Sequence, residues 1–153
     1  MAKASLEQKQ IFIIHGPNLN LLGSRDPAQY GTLTLDKVNT AIRKKARELN
    51  LETRIIQTNH EGRIIDLLHR RRKWADGFII NPGAFTHYSY AIRDAIEGIG
   101  KPVVEVHLSN IYEREDFRAI SVTKEVCAAQ FYGKKEDSYL EALEYLAKHL
   151  NTN

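Results

Sequence analysis

Glu105 and His107 stand two residues apart in the apolar run Val103 to Leu108. If that run is a strand, alternate side chains share a face, so a carboxylate and an imidazole point the same way. Burying either group unpaired is expensive, so the pair reads as a carboxylate orienting an imidazole for proton transfer. A salt-bridged core histidine would satisfy the same pattern; the position near a strand's carboxyl end favours catalysis. Further on, Arg114 and Arg118 are either ordinary surface charges or cations placed to hold a carboxylate bidentately. The stretch Asn18 to Gly31 carries Arg25, Asp26 and Tyr30. A free phenol has a pKa of about 10, and a guanidinium beside it favours the phenolate, a base. That stretch is also long for a simple connection, which reads as a lid at about residues 20–31. A third polar segment, Asn81-Pro-Gly-Ala-Phe-Thr-His87, ends another apolar run.

These segments need a frame that brings them to one place. Ile11 to His15, Thr53 to Gln57, Gly77 to Asn81, Val103 to Leu108 and Val126 to Phe131 read as five strands, the first buried on both faces. Between them run amphipathic stretches. One starts at Leu35 with Val38, Ile42, Ala46 and Leu49 at helical spacing, and a second carries Ile64, Ile65, Leu67 and Leu68. A third is expected to begin near Thr86 and carry Ala91, Ile92, Ala95 and Ile96. The last places Tyr139, Leu143, Leu146 and Leu150 on one stripe. Strands alternating with helices imply right-handed crossovers and a parallel sheet covered on both faces. The expected fold is a three-layer α/β domain of flavodoxin-like order, 2-1-3-4-5, over residues 11–150, with residues 1–10 loose. In such sheets ligands sit beyond the carboxyl ends of the strands, and all three polar segments lie there.

With 153 residues, 42% hydrophobic and 27% charged, the chain has the size and balance of one globular domain. No apolar run approaches the roughly 20 residues that cross a bilayer, and Met1 to Gln10 has no apolar core of its own, so neither a membrane partner nor a secretory signal is expected. The single cysteine, Cys127, cannot form an intramolecular disulfide and reads as a small core residue on strand five; a reducing cytoplasm is the expected location. No Cys/His spacing suggests a metal site. His60, His69 and His149 read as a helix-start or loop residue and two helix-surface residues. Neither G-x-G-x-x-G nor G-x-x-x-x-G-K-[ST] occurs, so a flavodoxin-like module binding a nucleotide lacks its main support. A net charge of +3 does not demand a nucleic-acid partner, and the run Arg70 to Lys73 suits a solvated helix end.

The sequence resembles the type II 3-dehydroquinate dehydratases from Ile11 to Leu150. The resemblance rests on Gly16-Pro-Asn-Leu-Asn-Leu-Leu-Gly23, Arg25 with Tyr30-Gly31, Asn81 to His87, and Glu105-Val-His-Leu-Ser-Asn110 followed by Arg114 and Phe117-Arg118. It implies a hydro-lyase of the shikimate pathway or of quinate catabolism. Such an enzyme removes water from 3-dehydroquinate by anti elimination through an enolate, without cofactor, and assembles as a dodecamer of four trimers. By resemblance, Tyr30 is the base at C2, with Arg25 favouring its phenolate, and Asn18 holds a water against the enolate oxygen. His107 is the acid for the C1 hydroxyl, oriented by Glu105. Asn81, His87, the Leu108–Ser109 backbone and Arg118 bind substrate, and Asp94 reaches a neighbouring subunit's site. Physics agrees: proton loss alpha to a ketone needs a base, an enolate stabiliser and an acid for the leaving group. No lysine stands in these motifs to form a Schiff base. Between Ser121 and Asp137 the chain departs from the family's smoother, glycine-containing segment, through Lys124-Glu125, Phe131-Tyr132 and Lys134-Lys135-Glu136. That departure is expected to leave the site untouched and to bear on strand-five packing and assembly.

Overall fold

The computed structural model describes residues 7–24, 28 and 31–152. Five strands, β1 (Lys9–His15), β2 (Leu51–Gln57), β3 (Gly77–Asn81), β4 (Val103–His107) and β5 (Ala129–Tyr132), form one sheet in the order β2-β1-β3-β4-β5. Every pairing is parallel, as the alternation of elements predicts. The crossovers include the helices α1 (Leu35–Glu48), α2 (Glu61–Arg71) and α3 (Tyr90–Gly98), and α4 (Glu136–Asn151) follows β5.

Alternation along the strands divides the core in two. Ile11, Ile13, Ile79, Val104 and Val106 face Val38 and Ile42 of α1 and Tyr139, Leu143 and Leu146 of α4. Phe12, Ile14, Phe78, Ile80 and Val103 face Ile64 and Leu68 of α2 and Ile92 and Ile96 of α3. Each fully buried side chain of this kind contributes about 1.5–3 kcal/mol, so the two cores fix the register of the sheet, and with it the side to which each polar residue points. The helices start where their caps allow. Thr34 Oγ1 accepts from the N–H of Lys37 ahead of α1, and Ser89 Oγ accepts from that of Ile92 ahead of α3.

Four boundaries differ from the sequence reading by two residues or more. β1 begins at Lys9, because Lys9 and Gln10 pair with Leu51 and Glu52 and the Gln10 N–H donates to Asp76; these two residues are therefore not part of a loose terminus. β2 begins at Leu51, directly after Asn50 turns the chain in a left-handed conformation (φ 55°). Helix α3 begins at Tyr90, not near Thr86. Gly83–His87 forms a separate 3-10 turn, and the Thr86 hydroxyl bonds Ser121 and Thr123 instead of capping a helix. β5 begins at Ala129, because a 3-10 turn over Lys124–Val126 intervenes; Cys127 follows that turn, packed against the α2–α3 core and outside the strand.

Candidate active site

In the sheet register His15 lies beside Asn81, so the segments that leave β1 and β3 emerge side by side at the carboxyl edge. The Gly16 N–H donates to the Asn81 carbonyl at 2.7 Å. A Cβ on Gly16 would stand 2.6 Å from that oxygen and 2.9 Å from the Pro82 carbonyl carbon, so this approach requires glycine. Asn18, left-handed at φ 69°, donates its backbone N–H to Asn59 Oδ1 at 3.0 Å. Between the segments lies a cleft of about 100 Å³. Pro17, Asn18 and Leu19 line it from the β1 side, and Asn81, Gly83, Ala84 and His87 from the β3 side. His107, Leu108, Ser109, Ile111, Arg114 and Arg118 close it from the β4 side.

His107 and Glu105 are bonded as their spacing suggests. His107 Nε2 lies 2.9 Å from Glu105 Oε2, and the carboxylate is wholly buried. A carboxylate only accepts, so Nε2 carries a proton and Nδ1 is the nitrogen that can bind or release one at the cleft. Glu105 is held by more than His107. Ser121 Oγ donates to Oε2 at 3.0 Å, Thr123 Oγ1 donates to Oε1, and Gln130 Nε2 donates to Oε2. Burial pushes this carboxyl up, but the bonds from His107, Thr123 and Gln130 outweigh it and bring the pKa down to about 2. Glu105 is therefore a fixed negative charge behind the imidazole.

Three of those donors lie in the segment 121–137, and none of them is among its departures at Lys124-Glu125, Phe131-Tyr132 and Lys134-Lys135-Glu136. The segment forms the back of the site. Sequence reasoning missed them because serine and threonine in a polar loop carry no signature. Gln130 faces Glu105 through the β4–β5 register, which is hidden until the frame of β5 is known.

On the opposite face of the sheet is a second buried network. Tyr139 OH lies 2.8 Å from His15 Nδ1 and accepts from Asn81 Nδ2 at 3.1 Å, while His15 Nε2 lies 2.8 Å from Asn39 Oδ1. Asn81 Oδ1 in turn accepts the Gly83 N–H at 3.1 Å. Burial lowers the His15 pKa to about 4, against the opposing bond to Asn39, and pushes the Tyr139 phenol up. Sequence reasoning treated Tyr139 as core and gave His15 no role.

The structure brings Asn18, Asn81, His87, His107, Leu108, Ser109 and Arg118 to the cleft, with Glu105 directly behind His107. His87 Nδ1 donates to the Ile120 carbonyl at 2.6 Å, which leaves Nε2 for a ligand, and burial lowers its pKa. Arg118 lies over the Phe117 ring and bonds Glu115. Asp94 is not in this cleft; it lines a separate groove with His69 and Arg72. Arg25 and Tyr30 lie outside the described residues. Arg70 and Arg71 line a groove on α2 with Arg63 and Asp66, and none of the candidate site residues lines it. Among the described residues no cluster of His, Cys, Asp and Glu could hold a metal, and no helix is long and apolar enough to cross a membrane.

Comparison with known proteins identifies the family. A family model described as dehydroquinase class II matches residues 9–147. A protein of Pelotomaculum thermopropionicum named 3-dehydroquinate dehydratase is 51% identical over 138 residues, which cover 90% of this chain and 96% of the relative. One of the same name from Halothermothrix orenii is 53% identical over 135 residues, covering 88% and 91%. The crystal structure of a type II dehydroquinase from Butyrivibrio crossotus superposes with a TM-score of 0.88 at 43% identity, covering 91% of this chain and 97% of the other. With a family match over nearly the whole chain and relatives above half identity, the chain belongs to the class II dehydroquinases.

Proposed function

We infer that this chain is a 3-dehydroquinate dehydratase, a hydro-lyase of the shikimate pathway that converts 3-dehydroquinate to 3-dehydroshikimate and water. The observation that carries this reading is the buried Glu105–His107 pair opening on a cleft that also holds Asn18, Asn81 and Arg118. In the proposed mechanism the Tyr30 phenolate, favoured by Arg25, removes the C2 proton. The electron pair moves to the ketone oxygen as an enolate, against which Asn18 holds a water. The enolate collapses to form the C1–C2 double bond, and the C1 hydroxyl leaves with a proton from His107. Tyr30 ends protonated and His107 deprotonated, and exchange with solvent restores both.

Arg118, His87, Asn81 and the Leu108–Ser109 backbone are the proposed substrate-binding set, a cation and donors suited to a carboxylate and hydroxyls. Among the described residues no lysine lines the cleft, which favours the enolate route over an imine. Asp94, in its separate groove, is proposed to complete the site of a neighbouring subunit within a trimer, four trimers making a dodecamer. The lone cysteine fits a cytoplasmic location. The decisive experiment follows the absorbance of the enone formed from 3-dehydroquinate by the purified protein. Absence of turnover overturns the reading, and light scattering that finds an active monomer overturns the assembly.

A further inference from the structure

We propose that Tyr139 is a positioning residue for substrate binding: its hydroxyl fixes the plane of the Asn81 carboxamide, with His15 receiving the phenolic proton. The argument follows from which groups can donate. The Gly83 N–H can only donate, so Asn81 Oδ1 is the atom that meets it at 3.1 Å, and Nδ2 must face Tyr139. Nδ2 can only donate, so the phenolic oxygen accepts from it and its own proton goes to His15 Nδ1 at 2.8 Å. His15 then carries its ring proton on Nε2 and donates to Asn39 Oδ1. Every bond in the chain from Gly83 to Asn39 thus has one allowed direction.

The consequence falls on Asn81, which lines the cleft. An amide nitrogen has two N–H donors in the plane of the carboxamide. Tyr139 takes one and the Gly83 bond fixes the oxygen, so the plane and the direction of the remaining N–H are both set before substrate arrives. A donor fixed in advance loses no rotamer freedom on binding. The anchor itself is rigid: Tyr139 is 1% exposed, sits in the first turn of α4, and meets the His15 ring edge-on at 5.2 Å. Gly83, Ala84 and Asn81 form one wall of the cleft, so the same bonds hold backbone as well as side chain.

This inference rests on the proposed dehydratase activity for its kinetic test, which is a double-mutant cycle. Tyr139→Phe keeps the ring and should lower kcat/KM about tenfold, the usual effect of one net hydrogen bond, chiefly through KM. Asn81→Ala should cost more. If Tyr139 acts through Asn81, the double variant should match Asn81→Ala within about twofold. Losses that multiply would overturn the proposal, since a purely structural tyrosine is independent of Asn81. A second readout needs neither a variant nor turnover. In the unmutated protein the Asn81 side-chain amide proton bonded to Tyr139 should exchange slowly with solvent by NMR; rapid exchange of that proton would overturn the proposal even in a protein that fails to turn over 3-dehydroquinate.

Discussion

Replacing Glu105 with glutamine tests the electrostatics of the site directly. The side chain keeps its size and loses its charge. In the folded protein burial pushes the carboxyl up, yet the bonds from His107, Thr123 and Gln130 bring its pKa from 4.5 down to about 2. At about 1.36 kcal/mol per pKa unit this difference is worth about 3 kcal/mol. Because folding lowers the pKa, the unfolded chain takes up the proton first as the pH falls. The stabilisation is therefore complete above about pH 5.5 and is lost as the pH falls through 4.5 towards about 2. Glutamine has no such proton. Urea unfolding of both proteins at a series of pH values should give a stability difference that changes by about 3 kcal/mol, against the unmutated protein, between about pH 5.5 and pH 2. Titrating groups that do not touch Glu105 are common to both proteins and cancel in the difference; His107, which bonds Glu105, does not, and the limb is read below the ordinary histidine range near 6.5. Parallel curves down to pH 2 would refute the reasoning and leave Glu105 an ordinary carboxylate.

His107→Ala should reduce turnover by about 10²–10⁴ while substrate still binds, and near-normal turnover would remove His107 as the acid. Ser121, Thr123 and Gln130 continue to hold Glu105 in that variant, so it should fold. Tyr30→Phe should abolish turnover at every pH, and Arg25→Gln should move the midpoint for formation of the active base to higher pH; a pH profile unmoved by Arg25→Gln would reduce that residue to positioning. His15, at about 4 in the fold against an ordinary 6.5, should make the protein lose about 3 kcal/mol as the pH falls from 6.5 to 4, since the unfolded chain protonates first. Urea unfolding of His15→Gln should lack that slope, and an identical slope would assign it to other groups.

How much of this was legible in the sequence depended on the range of the contacts. The order of strands and helices followed from period alone, because each element buries a full stripe. Glu105 and His107 were readable as a pair because two residues on one strand need no knowledge of the rest of the chain. Ser121, Thr123 and Gln130 reach Glu105 across a crossing whose frame the sequence does not display, since a 3-10 turn over Lys124–Val126 delays β5 to Ala129. Tyr139 meets Asn81 from 58 residues away, and its spacing with Leu143 and Leu146 fits a purely apolar stripe equally well. Helical period reports which face is buried; it does not report that one hydroxyl on that face has partners.

The division of the sheet into two faces keeps the two buried networks apart. His15 and Asn81 share the α1–α4 side, while Glu105 packs with Gln130 and Ser121 on the other, and the strands of apolar residues lie between them. One side holds a chain of neutral groups that orients; the other holds a fixed anion and an imidazole that passes protons. They meet at the cleft and, among the described residues, share no hydrogen-bonding partner. The sheet behaves as an insulating board with separate wiring on its two surfaces. Helix α4 and strand β1 carry the hydroxyl and imidazole that orient, and the segment after β4 carries the donors that hold the anion.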